Sequence, residues 1–326
     1  MTNLMQYPAA AETKHIQLSS NTESSSTMKS LRDYENSFWS QITFVDSPFY
    51  PDYMEAVEIA YKEAFDSFWE LVTETEDAAT LLRRIMKEKG GLRMNLLKLF
   101  RRFVSPDTSV EMLKKVSNTE NIIREYGYRF RSTADLVEIQ ERYKGKMREL
   151  ELPLMAVLFE TQNRGQSGYR LTDMFFEWFE NNLGDEFTIE GPRGAGRDVE
   201  LSSILPGFDK GTPTDFVIRS RDNKEVVAIG YARYDSDRGG SQEDDRISGN
   251  RDKITKLRNY RQANPDSDIK IIFLNDGPGI VLGSMYKDYV DLEEVYGPGF
   301  TMVTTLKMLD DRLTSSWLTS DSTGNQ

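Results

Sequence analysis

The chain has no cysteine and a single histidine, His15. The first absence excludes disulfides, thiolate zinc centres, iron–sulfur clusters and cysteine nucleophiles. The second leaves no basis for a Ser-His-Asp triad, a paired-histidine zinc site or a histidine general base, because the one imidazole lies in a polar N-terminal stretch. No apolar run approaches the roughly 20 residues that a membrane-spanning helix requires. The N-terminus also lacks the basic segment followed by an apolar one that marks a secretory signal. A cytoplasmic protein with no membrane partner is expected. Its chemistry, if it has any, must come from carboxylates, Lys, Arg, Tyr, Ser or a bound metal.

What remains is ample for a folded core. Of 326 residues, 38% are hydrophobic and 11% aromatic, which predicts one large domain or two smaller ones rather than a disordered chain. The 53 acidic and 41 basic side chains leave a net charge of −12, which taken globally argues mildly against polyanion binding. The basic residues are unevenly spread, however. Arg83, Arg84, Lys87, Lys89, Arg93, Lys98, Arg101 and Arg102 follow one another with only Glu88 between them. Arg124, Arg129 and Arg131 interleave with Tyr126, Tyr128 and Phe130, and Arg246 to Arg261 form another basic series. Such stripes suit phosphate contacts, although alternating charge on a solvated helix explains the 246–261 series equally well.

Hydrophobic spacing divides the chain. Residues 1–30, rich in Ser, Thr, Asn and Ala, read as a disordered arm. Residues 31–150 read as a helical region suited to DNA binding or dimerisation, with helices over 52–75, from about Asp77, over 92–103, 109–125 and 132–147. Residues 151–312 read as an α/β core, and 313–326 as a flexible tail. Within the core the spacing predicts a helix over 153–163 starting at Pro153, a loop over 165–168, and a second helix capped by Thr172. Strands follow over 187–190, 198–201, 215–219 and 226–234, then a helix over 242–260 and strands over 269–274 and 301–305. The fold class is therefore α/β: a mixed central sheet flanked by helices, preceded by a mostly helical region.

The informative segment is 211–253. Gly-Thr-Pro-Thr-Asp215 leads into one strand, and a polar turn connects it to Val226–Asp235, so a hairpin brings Asp215 beside the far end of the second strand. Side chains two apart on a strand share a face, so Tyr231, Arg233 and Asp235 point the same way. Beyond them come Gly239-Gly240 and the acids Glu243, Asp244 and Asp245, in what would be the first turn of a helix. Acids there are favoured by the helix dipole and commonly face water. Beside a cation and Asp215 they are also candidate ligands for Mg²⁺, which takes one or two carboxylates and keeps water and phosphate oxygens in its remaining positions.

Pro-Thr-Asp215 on one strand followed by a hydrophobic strand ending Tyr231-Ala-Arg233 resembles the PD-(D/E)xK nuclease signature, especially that of type II restriction endonucleases. Asp215 matches the first acid, Tyr231 stands in the second acidic place and Arg233 in the lysine place. The pattern Asp237-Arg238-Gly-Gly-Ser-Gln242-Glu243-Asp-Asp245 is similar to a branch of that family in which the second carboxylate lies on the following helix. The resemblance therefore implies a restriction-endonuclease-like core and Asp215 and Asp245 as Mg²⁺ ligands, with Asp235 or Glu243 as alternatives. It implies Arg233 as an electrostatic clamp and Glu180 as a further acid near the metal, unless Glu180 is merely a solvated helix edge. It also implies double-stranded DNA as substrate, a homodimer, and a cognate DNA methyltransferase as functional partner.

The glycine-rich Gly191–Asp198 segment, with Arg193 and Arg197, could approach a phosphodiester or form only a tight turn. Arg238, Arg246, Arg251, Arg101 and Arg102 are the other candidates for DNA contact. The expected activity is site-specific hydrolysis of DNA phosphodiesters. The alternative is a catalytically degenerate nuclease fold that binds DNA or regulates.

Overall fold

A computed structural model describes residues 29–45, 48–194, 196–236 and 242–321; for 162–165 and 242–244 it describes the main chain alone. The chain is mixed α/β. Among the described residues, two short 3-10 helices (Leu31–Tyr34 and Phe38–Gln41) are followed by seven α-helices: α1 (Met54–Glu74), α2 (Ala78–Ile85), α3 (Gly90–Phe103), α4 (Val110–Leu113), α5 (Thr119–Tyr126), α6 (Thr133–Arg142) and α7 (Met147–Leu183). Asp77 caps α2 by accepting from the Thr80 N–H at 2.7 Å, and Ser132 caps α6 in the same way. One apolar face of each turns inward, so that Val57, Phe65, Phe68, Leu96, Phe100 and Leu136 close a core of their own.

Then come β1 (Phe187–Glu190), β2 (Val199–Glu200), β3 (Pro213–Thr214), β4 (Phe216–Ser220), β5 (Val226–Tyr234), α8 (Gln242–Ala263), β6 (Lys270–Asp276), α9 (Met285–Tyr296), β7 (Thr301–Thr304), α10 (Leu309–Arg312) and α11 (Ser315–Thr319). The five-stranded sheet runs in the order β1-β4-β5-β6-β7. Its first three strands are antiparallel neighbours, whereas β6 and β7 lie parallel to β5. A two-stranded ribbon pairs β2 with β3. All seven residues of β6 are buried, as expected of a central strand covered on both faces.

Alternation along the strands sorts the two faces. Phe216, Ile218, Ala228, Ile272 and Leu274 pack against Leu171, Phe175 and Phe179 of α7. Ile229, Tyr231, Ile271 and Phe273 face α8, α9 and the segment carrying Leu31, Tyr34, Phe38 and Ile42. The hairpin β4–β5 closes tightly. Any side chain at Gly230 would start 2.0 Å from the Phe216 ring, so glycine is what lets that ring lie across the strand.

Three expectations are corrected. First, the helices over 153–163 and 172–183 and the loop between them are one continuous α7, with Pro153 inside it. Pro153 falls in the second turn, where it removes one backbone donor. Gly168 costs only about 1 kcal/mol relative to alanine. Packing of Met155 and Leu158 in the first core and of Leu171 and Phe175 in the second outweighs both. Thr172 is accordingly not a cap; its hydroxyl donates to the Gly168 carbonyl at 3.1 Å within the helix.

Second, residues 31–42 belong with the α/β core and not with the helical region. Their anchor is a buried pair: Arg312 Nη2 donates to both Glu293 carboxylate oxygens at 2.6 Å, and Glu293 also accepts the Leu31 N–H at 2.7 Å. Third, the predicted tail starts too early. Trp317 and Leu318 are buried, and Lys270 donates to the Trp317 carbonyl at 2.5 Å and to that of Ser320. The predicted N-terminal arm lies outside the described residues, apart from 29 and 30.

Candidate functional site

The hairpin, the crossover helix and the parallel strand beside it converge on one cleft of about 440 Å³. Its floor is the sheet face that carries Tyr231 and Arg233 on β5 and Phe273 and Asn275 on β6, paired in register as neighbours. Its roof is one side of α8, where Asp245, Arg246, Gly249, Asn250 and Lys253 recur at helical spacing. Tyr289 of α9 closes one wall.

Asp215 enters from the hairpin. Its N–H donates to the Gly230 carbonyl at 3.0 Å, and its Oδ2 accepts the Ala232 N–H at 2.8 Å, which fixes the carboxylate at the start of β4. On its other side Gly191 ends β1 so closely that a Cβ there would lie 2.3 Å from the Asp215 carbonyl oxygen. The glycine-rich segment thus contributes close passage beside Asp215. Burial pushes the Asp215 carboxyl above its ordinary value near 3.8 and the charge of Asp198 pushes it further, while the Ala232 N–H and the Lys253 ammonium hold it back. Asp198 reaches this position because Val199 pairs with Thr214 in the β2–β3 ribbon.

Across the cleft, Lys253 rests its ammonium 3.7 Å from the centroid of the Tyr231 ring, which in turn stacks on Phe273. It makes no ion pair and no hydrogen bond among the described residues. Burial lowers its pKa, Arg233 lowers it further, and Asp215 opposes both. A desolvated, unpaired lysine facing a desolvated carboxylate is the kind of perturbed pair that gathers where chemistry is done.

The candidates named from the sequence fare differently. Asp215, Arg233, Asp245 and Arg246 are brought to the cleft. Asp235 is not: it is 3% exposed, and its Oδ1 meets Arg233 Nε at 3.2 Å and Arg246 Nη1 at 2.8 Å. Asp235 serves through Oδ1 as the counter-ion of the two arginines, while its Oδ2 is buried without a hydrogen-bond partner among the described residues. Arg246, with a 9% exposed side chain, forms part of the wall of the cleft. Glu180 stays away from the cleft on the exposed side of α7, where Arg193 bridges it and lies over the Phe176 ring. Arg197, Arg251 and Arg102 are exposed and Arg101 is half-buried. Arg238 and the Glu243 side chain lie outside the described residues. In the basic stripe, Arg83 is held bidentately by Glu120, and Arg84 makes a single contact with Glu74, so part of the stripe's charge is already matched.

Sequence reading missed Lys253, Asp198 and Asn275. The first carried a usable signal, since seven and eight residues separate it from Arg246 and Asp245 on the same helix.

Among the described residues, no three of His, Cys, Asp and Glu come together as a metal-binding group. Two carboxylates completed by water and phosphate oxygens are nevertheless a usual magnesium arrangement. The donors here are hard oxygens, and Asp215 commits only one of its two to the backbone. Asp245 faces the same cleft and Asp198 lies nearby. Their oxygen chemistry is of the kind a hard divalent cation takes, although these three acids do not gather into one group among the described residues. No protein-family model matches the chain, and no curated protein or solved structure shows significant similarity to it. Among the described residues, no helix is long and apolar enough to cross a membrane.

Proposed function

We propose that the cleft hydrolyses phosphodiester bonds of double-stranded DNA with Mg²⁺, in the manner of a type II restriction endonuclease. The observation that carries this reading is the facing of Asp215 and the unpaired Lys253 across the cleft, beneath the helix that follows the β4–β5 hairpin. That strand–turn–strand–helix order is the one on which the nuclease resemblance rests. Asp215, with Asp245 or Asp198, would hold Mg²⁺, which when bound supplies Lewis acidity and lowers the pKa of a water molecule. Lys253, the lysine that lines this cleft, takes the lysine role of the resemblance, with Arg233 beside it as a second cation. Its ammonium stabilises the negative charge that grows on the phosphoryl oxygens as the bond to the leaving oxygen breaks. Tyr231 keeps that ammonium in place through its ring face. Exposed Arg197, Arg251 and Arg102 are suited to backbone phosphates further along the duplex.

A second reading, a nuclease fold that binds DNA without cutting, draws on the lack of a three-acid group among the described residues. One experiment separates the two. Supercoiled plasmid is incubated with the full chain and Mg²⁺, alongside the Asp215→Ala variant. The hydrolytic reading expects discrete fragments from the wild type, and a loss of about a thousandfold or more in the variant with DNA binding retained. A gel shift without cutting by the wild type favours the binding module.

A further inference from the structure

Asn275 stands out among the buried polar groups of the cleft. It is 5% exposed and lines the cleft, yet its Nδ2 makes no hydrogen bond among the described residues. A buried donor left without a partner costs about 1–3 kcal/mol, so native structures rarely keep one unless a ligand or water answers it. Its neighbour in register on β5 is Arg233. That guanidinium is aimed by Asp235, which takes its Nε at 3.2 Å. The two Nη groups make no hydrogen bond among the described residues, and half of the side chain is exposed to the cleft. Asp276, the next residue along β6, gives the contrast: its carboxylate accepts the N–H groups of Thr43, Gly277 and Leu306, and it is fully buried. Adjacent positions of one strand thus carry one polar group that is completely satisfied and one that is held open.

We propose that Asn275 Nδ2 and the Arg233 guanidinium form an oxyanion subsite at the floor of the cleft that takes one phosphate group. The donors match the ligand: an amide N–H₂ and a planar guanidinium fork present only N–H groups, which suits a tetrahedral anion and disfavours a cation. Lys253, on the roof of the same cleft, adds positive charge opposite this floor. The proposal rests on the nuclease reading only for the polymer that carries the phosphate. There, the subsite would grip a non-bridging oxygen of the phosphate whose ester bond is cut, next to Asp215, whose carboxylate is held by the N–H of Ala232, the residue before Arg233.

The test uses the full chain, labelled with ¹⁵N and free of metal. Inorganic phosphate and, separately, a short DNA duplex are titrated in while the side-chain amide pair of Asn275 is followed by NMR, its signals assigned by their loss in Asn275→Ser. The subsite predicts a saturable shift of that amide pair with phosphate. It further predicts binding weakened by about ten- to a hundredfold in Asn275→Ser and in Arg233→Ala. An amide pair that ignores both probes overturns it, and phosphate binding undiminished in Arg233→Ala overturns it independently of that assignment. A shift with phosphate but none with duplex keeps the subsite and assigns it to a small phosphate compound. Should the wild type fail to cut DNA while phosphate still shifts Asn275, the nuclease reading falls and the subsite stands. Efficient cutting with unchanged KM and kcat in Asn275→Ser would instead remove the subsite and leave the nuclease reading intact.

Discussion

Two acid–base clusters sit in the same α/β core and are built on opposite principles. Around Glu293 and Arg312 every charge is answered. The guanidinium and carboxylate meet face to face, and backbone groups of Lys29, Leu31 and Val303 use the remaining positions. In the cleft the polar groups are left half-finished: Lys253 without an ion pair among the described residues, Asn275 Nδ2 without an acceptor, and Asp215 with one oxygen committed. A satisfied buried network fixes a single arrangement of chain segments, here joining residues 29–31 to α9, β7 and α10. An unsatisfied one lowers stability and is retained only if something else completes it. Incompleteness among neighbouring charged and amide groups separates the cleft from the Glu293–Arg312 cluster.

The comparison can be broken most forcefully at the scaffold. Glu293→Ala leaves Arg312 buried without its counter-ion and should cost about 3–5 kcal/mol of stability, read by chemical denaturation. Protein that remains folded should cut or bind DNA as the wild type does. A variant that keeps its stability but loses DNA activity would reverse the roles assigned to the two clusters.

A smaller effect sharpens the contrast from the other side. Because burial raises the Asp215 carboxyl above its ordinary value near 3.8, the native state holds that proton more tightly than the unfolded chain. The penalty for ionising Asp215 is therefore absent at low pH, grows as pH rises through the interval between the two values, and is complete above the folded one. Asp215→Asn keeps the shape and an acceptor for the Ala232 N–H but carries no charge. Its stability relative to the wild type should rise as pH climbs above the ordinary carboxylate value and level off once the folded-state value is passed. A difference independent of pH would show that Asp215 is not held at a cost.

The smallest effect belongs to the exposed pair. Glu180→Gln, which releases Arg193, should change stability by less than about 1 kcal/mol and leave cleavage unchanged. A large loss of cutting would return Glu180 to the reaction.

How far the sequence could be read follows from the range of the forces involved. Strand β5 and the first sheet strand, β1, carry their bounds in local alternation and turn residues, so 226–234 and 187–190 are found where expected. The convergence of Asp215, Arg233 and Asp245 was also legible, because a hairpin and the first turn of the next helix are short-range geometry. Asp198 was hidden: it reaches Asp215 only through the two-residue ribbon β2–β3, separated by the long excursion over 201–212. Asn275 reads locally as the start of an Asn-Asp-Gly-Pro-Gly turn. Its membership of β6 depends on parallel pairing with Arg233, more than forty residues earlier. The continuity of α7 through Pro153 and Gly168 is likewise a tertiary effect, visible only once two cores are seen to share that helix. Lys253 was hidden differently, as one cation among several on α8, until burial set it apart from its exposed neighbours Arg251 and Arg258.

The most direct test is the single-turnover rate of DNA cleavage with Mg²⁺ for the wild type and Lys253→Met, measured beside their thermal stabilities. Methionine fills much of the same space without the buried ammonium. The rate should drop by about a hundredfold while the melting temperature holds or rises. A wild type that leaves DNA whole, or a variant that cuts equally fast, would contradict the assignment of this cleft as the site of phosphodiester hydrolysis.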